Sequence, residues 1–129
     1  MGARYLVVAA LAFLGLGACE RYDNFAAYRD VQAVTNGGNP EDGKNAIVYY
    51  GCGTCHTIPG IRDAVAVVGP PLEHIANRNV IAGQLPNTPA NLMHWIEKPR
   101  EISPHTLMPD MNVSEQDARN IAAYLYTLK

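Results

Sequence analysis

The sequence predicts an all-α domain, and three observations carry that expectation. Three segments, beginning near residues 40, 89 and 114, open with a helix-start signature. Behind each signature, apolar residues recur at helical spacing. Nowhere in the chain does a run alternate apolar and polar residues as a half-buried strand does.

The first helix opens at Asn39-Pro40-Glu41-Asp42. Asn is a favoured N-cap, Pro suits the first helical position, and the acids face the positive end of the helix dipole. It continues through Ile47, Val48 and Tyr50, and Gly51 can end it. Thr88-Pro89-Ala90-Asn91 starts a second helix in the same way, with Leu92, Trp95 and Ile96 on one face and Pro99 as its stop. Ser114-Glu115-Gln116-Asp117 resembles a capping box, and Ala118, Ile121, Ala122, Leu125 and Leu128 form the stripe behind it. Residues 57–87 read as mostly irregular, with a short helix around Leu72 to Arg78.

The chain has 129 residues, with 10 Lys and Arg against 12 Asp and Glu. One domain fits that length, and the slight negative balance argues against a nucleic-acid binder, whose surface must be basic. Residues 6–16 form a short apolar run after Arg4, closed by Glu20-Arg21-Tyr22-Asp23. A membrane span needs about 20 apolar residues, so this run reads as an export signal over residues 1–18. Leu16-Gly17-Ala18-Cys19 resembles the lipobox of bacterial lipoproteins, which implies that Cys19 becomes the acylated first residue of the mature chain. An ordinary cleaved signal is the alternative. Residues 19–38 have few aliphatics and end in Asn36-Gly37-Gly38, so they read as a tether, and the domain is expected over residues 39–129.

The chemistry lies in Cys52-Gly53-Thr54-Cys55-His56, a C-x-x-C-H sequence of the kind that attaches haem c. Two thiols at this spacing can each join a vinyl group on one porphyrin edge, and the adjoining imidazole falls beneath the iron. A thioredoxin-like pair would need a βαβ setting that is absent. A zinc site would need a second pair of ligands, and His74, His94 and His105 lack the spacing for one. A structural disulfide between the two, which export would permit, is a third alternative. For a sixth ligand the candidates are Met93, Met108 and Met111, with His74, His94 and His105 less suited. Met108-Pro109 lies in a proline-stiffened segment between two helices, which suits a weak thioether ligand. Met111 is its rival, and Met93 sits in a helical pattern where core packing explains it.

Taken together, Cys52-x-x-Cys55-His56, Gly69-Pro70-Pro71-Leu72, Leu92-x-x-Trp95-Ile96, Met108-Pro109 and Ala123-Tyr124-Leu125 resemble the class I cytochromes c in order and spacing. The resemblance covers roughly residues 39–129. It implies crossing N- and C-terminal helices around one haem, thioethers at Cys52 and Cys55, and axial ligation by His56 and Met108. It further implies that the Pro70 carbonyl accepts the Nδ1 proton of His56, that Arg78 lies near a haem propionate, and that Trp95 packs on the Met side of the ring. Cys55-His56-Thr57-Ile58-Pro59-Gly60 and Leu85-Pro86-Asn87-Thr88-Pro89 are similar to the cytochrome c domains of haem-copper terminal oxidases. One departure stands out: Gly43 precedes Cys52 by nine positions, where many relatives have their crossing glycine at eight.

The expected function follows from the haem. The chain reads as an electron carrier and not an enzyme by itself, held by lipid at the periplasmic face of the cytoplasmic membrane, with respiratory complexes as partners. An obligate subunit of an oxidase or dehydrogenase complex is one alternative, and a gas-binding haem protein with an open sixth position is another. Lys44, Lys98 and Lys129 are the only lysines, so a broad cationic ring for electrostatic docking is not expected.

Overall fold

The computed structural model describes residues 30–129, and Val31–Lys129 form one compact unit. The expected export signal over residues 1–18, Cys19 and the first part of the expected tether lie outside the described residues. Among the described residues, the frame comprises α1 (Pro40–Tyr49), α2 (Pro89–Glu97), the single turn α3 (Pro99–Ile102) and α4 (Glu115–Leu125), and residues 30–34 are also helical. Short 3-10 turns occupy Cys52–Thr54 and Ile75–Asn77. The fold is all-α but for a two-residue antiparallel ladder, β1 (Val80–Ile81) with β2 (Leu85–Pro86), and an isolated bridge between Thr57 and Val65.

The helix starts form as their residues dictate. The Asn39 side-chain oxygen accepts the amides of Glu41 and Asp42 at 2.9 and 3.3 Å, which satisfies two donors that the first turn leaves unpaired. Thr88 caps α2 through the amide of Asn91 at 3.2 Å, and Ser114 caps α4 through the amide of Asp117 at 3.1 Å. Pro99 does not simply end α2. The helix closes at Glu97 with Lys98 as its cap, and Pro99 is the first residue of α3. Proline has this double reading because it lacks the amide that a helix interior needs and a first turn does not.

The core lies where α1 and α2 pack on α4. Ile47, Leu92 and Ile121 are 1–2% exposed, and each such burial contributes about 1.5–3 kcal/mol. Gly43 sets the closest approach: a Cβ there would lie 2.7 Å from the Asn120 carbonyl carbon and 3.0 Å from the Tyr124 Cβ. Gly43 therefore stands at the helix contact despite its spacing from Cys52. The residues between α1 and Cys52 include Gly51 at φ 69°, a conformation that glycine adopts without strain. Buried Asn120 locks the same contact, its Oδ1 accepting the Asn39 amide and the Gln116 side-chain amide, both at 3.0 Å.

Residues 31–38, read from sequence as tether, belong to the compact unit. Val31 is 7% exposed and Thr35 fully buried, with the Thr35 hydroxyl donating to the Val31 carbonyl at 2.5 Å. Gly38 lies against α4, where a Cβ would meet Ala123 Cβ at 2.9 Å, and Arg119 reaches the Asn36 carbonyl at 3.4 Å. Small and polar residues make this contact, so no apolar stripe announced it.

Two predictions arise from this packing. Gly43→Ala forces a methyl into the α4 backbone and should cost about 1–3 kcal/mol in denaturant unfolding. Tyr124 donates to the Pro59 carbonyl at 2.5 Å and Tyr126 to Asn87 Oδ1 at 2.9 Å, and burial raises both hydroxyl pKa values. Their neutral forms are favoured in the folded state, so stability holds below pH about 10 and falls as pH rises through the raised values. The double variant with both tyrosines as Phe should lose most of that alkaline decline in unfolding curves measured between pH 8 and 12.

Candidate functional site

The site is built on the segment that follows α1. Gly51 turns the chain out of the helix, and Cys52–Thr54 form a 3-10 turn in which the His56 amide returns to the Cys52 carbonyl at 3.1 Å. Gly53 allows Ala64 to close over this turn, since a Cβ at Gly53 would lie 2.9 Å from that of Ala64. Cys52 and Cys55 are both half-buried and joined in no disulfide.

His56 is held from two sides. Its Nδ1 donates to the Pro70 carbonyl oxygen at 2.7 Å, which leaves Nε2 without a hydrogen-bond partner among the described residues. Such a bond fixes the tautomer and the ring plane of a metal-binding imidazole. Gly69 bounds the other side. A Cβ there would fall 2.6 Å from Nδ1 and 2.9 Å from Nε2, so only a glycine fits beside the ring. Its φ is not positive, so Gly69 is required by close approach and not by a turn. Composition gives no hint of that role. The only sequence signal was the Gly-Pro-Pro run itself.

The segment bearing Gly69 and Pro70 is tied to the cysteine segment along its length. The Gly69 amide donates to the Cys55 carbonyl at 2.7 Å, the Leu72 amide to the Thr57 carbonyl at 2.8 Å, and the Thr57 hydroxyl to the Ala66 carbonyl at 3.0 Å. Arg78 extends the brace: its guanidinium donates to the carbonyls of Pro71 at 2.5 Å and Glu73 at 3.0 Å. Asn87 secures the backbone behind Arg78 by donating to the carbonyls of Ile75 and Arg78, both at 2.8 Å. Sequence reading assigned no role to Asn87, because its three partners are remote or irregular in the chain.

The methionines separate by environment. Met108 is half-buried on the loop between α3 and α4, with its amide bonded to the Thr106 hydroxyl at 3.2 Å. Met111 is 40% exposed, and Met93 packs against the apolar core from α2. Trp95 is half-buried on the same helix. The spare histidines are exposed: His74 at a left-handed φ of 55°, His94 paired with Glu101 at 3.3 Å, and His105 on the Met108 loop.

These residues fit a covalently bound haem. Two free thiols stand three positions apart, the imidazole beside them has one nitrogen fixed and one uncommitted, and the backbone next to the ring is stripped of side chain. Gly69→Ala should therefore displace His56 while leaving both thioethers intact. In the purified variant, denatured gels should retain covalent haem, and the Soret and visible bands should depart from wild type.

A profile of the family described as "Cytochrome c" matches residues 40–129, most of the chain. A curated relative, cytochrome c oxidase subunit 2 of Alkalihalophilus pseudofirmus, is 34% identical over 88 residues. That match covers 67% of this chain and 25% of the relative, so the chain spans about a quarter of the relative's length. No solved structure gives a significant match. With the helical frame, the paired thiols and the braced imidazole, the match establishes that this chain belongs to the cytochrome c family, binding haem c covalently through Cys52 and Cys55 and transferring electrons.

Proposed function

We propose that the chain is a monohaem carrier with His56 and Met108 as axial ligands, passing single electrons between membrane respiratory partners towards a terminal oxidase. The observation that carries the ligand assignment is the His56–Pro70 bond, which commits Nδ1, leaves Nε2 to serve as the ligand and raises its basicity. Met108 supports it from the far loop, where Pro104 and Pro109 limit backbone freedom and Thr106 holds the Met108 amide. Bound haem supplies a site that accepts and releases one electron. This chain's residues orient the imidazole through Pro70 and Gly69, and Met108 would hold the sixth position of a bound haem against small molecules. Arg78, through its place on the Pro70 segment, and Trp95, on α2, are proposed as the residues near a propionate and the Met side of the ring.

Lipidation at Cys19 would hold the domain at the periplasmic face of the cytoplasmic membrane after removal of residues 1–18. A second reading is a fixed subunit of an oxidase complex. Similarity to a cytochrome c oxidase subunit 2 favours it, since a domain like this one can be part of a larger oxidase chain or a separate polypeptide.

Three outcomes are expected. Ferrous wild-type protein should not bind carbon monoxide, Met108→Ala should bind it stoichiometrically, and Met111→Ala should behave as wild type; opening of the site by Met111→Ala alone would reassign the ligand. Met108→Ala should also lower the midpoint potential in a spectroelectrochemical titration, because thioether ligation raises it. Detergent extraction should recover the haem protein alone if it shuttles, and together with oxidase subunits if it is a fixed component.

A further inference from the structure

Residues 103–114 join α3 to α4 and carry Met108. Among the described residues, no amide from Leu107 to Ser114 donates to a backbone carbonyl, so side chains hold this stretch in place. Thr106 takes the Met108 amide at 3.2 Å, and Asp110 reaches back to the Arg100 amide on α3 at 3.4 Å. Both ties are local to the loop and the turn before it. A third is not. The Ser114 amide, six positions after Met108, donates at 3.4 Å to the hydroxyl of Tyr50, the residue that caps the C-terminus of α1. That hydroxyl is itself fixed, since it donates to Asp117 Oδ2 on α4 at 2.8 Å. The Ser114 hydroxyl donates to the same oxygen at 2.8 Å and accepts the Asp117 amide at 3.1 Å.

Two hydroxyls therefore converge on one carboxylate, and bonds to an ionised acceptor are the stronger kind. The Tyr50 ring packs against the apolar core and meets Tyr49 edge-on with centroids 5.0 Å apart, so the phenol has little freedom to follow a moving partner. Tyr50 also stands two positions before Cys52. The junction thus ties the end of the Met108 loop to the segment that delivers the first cysteine, across 64 positions of sequence. We infer that Tyr50 is a positioning residue for the axial methionine: with Asp117 it holds Ser114, and so favours the loop position from which Met108 ligates. This rests on the Met108 assignment above. A thioether is a weak ligand, so the loop's own preference decides how often the sixth position of bound haem stands open.

Imidazole added to the ferric full-length holoprotein reads that preference. It reaches the iron only when Met108 has left, so its apparent dissociation constant varies inversely with the open fraction. Tyr50→Phe keeps the ring and deletes the hydroxyl. It should bind imidazole about fivefold more tightly than wild type, the factor carried by one ordinary hydrogen bond, with covalent haem retained. Asp117→Ala should give a similar gain, and the double variant no more than either alone, because both residues act through one junction. Thr35→Val deletes a buried hydroxyl bond outside the loop and should lower the denaturant midpoint with imidazole affinity unchanged. Unchanged affinity in Tyr50→Phe, additive gains in the double variant, or an equal gain in Thr35→Val overturns the positioning role. Met108→Ala separates this role from the assignment beneath it. If that variant binds imidazole more tightly and Tyr50→Phe does not, Tyr50 alone loses its role. If it binds no more tightly than wild type, the Met108 assignment falls and takes the role of Tyr50 with it.

Discussion

The bond from His56 Nδ1 to the Pro70 carbonyl is the contact on which the rest of the site depends. An imidazole joined to the backbone through two rotatable bonds has many orientations, and only a narrow set of them suits a ligand to the iron of a covalently fixed ring. The carbonyl selects among them, and the absence of a side chain at Gly69 makes the selected position sterically available. Much of the irregular middle of the chain serves this one contact. Backbone bonds from Gly69 to Cys55 and from Leu72 to Thr57 hold the Pro70 segment against the cysteines, and Arg78 and Asn87 hold it from behind.

The helical frame supplies the fixed end of that arrangement. Asn120 ties the start of α1 to the middle of α4, and Gly43 lets the two backbones meet, so the C-terminus of α1 delivers Cys52 from a rigid support. Division of labour between frame and loops suits electron transfer. A carrier gains from a cofactor environment that changes little between oxidation states, and covalent attachment, a clamped ligand and a packed helix pair all reduce such change. Haem also explains how a domain with so much irregular chain has a sufficient interior, because the porphyrin adds apolar area that the side chains lack.

The helices were legible in the sequence because their information is local. Asn39, Thr88 and Ser114 cap the helices that follow them, and the stripe from Ala118 to Leu125 is the buried face of α4. The covalent attachment was legible too, since C-x-x-C-H compresses the chemistry into five residues. What escaped depends on contacts between distant residues. The start of the folded unit at Val31 is secured by Thr35, Gly38 and Arg119, residues with no periodic signal. Pro99 carried a helix start as well as a stop, and propensity does not separate the two. Gly69 entered only as part of the Gly69-Pro70-Pro71-Leu72 motif, and its proximity to the imidazole reveals its purpose.

One spectrum tests the central claim most directly: the proton NMR spectrum of the ferrous holoprotein with isotope-labelled methionine methyl groups. The ring current of haem shifts the methyl of a coordinated methionine far upfield from all others. The account predicts one such resonance, belonging to Met108, with Met93 and Met111 in the ordinary range. An upfield resonance that belongs to Met111, or none at all, contradicts it.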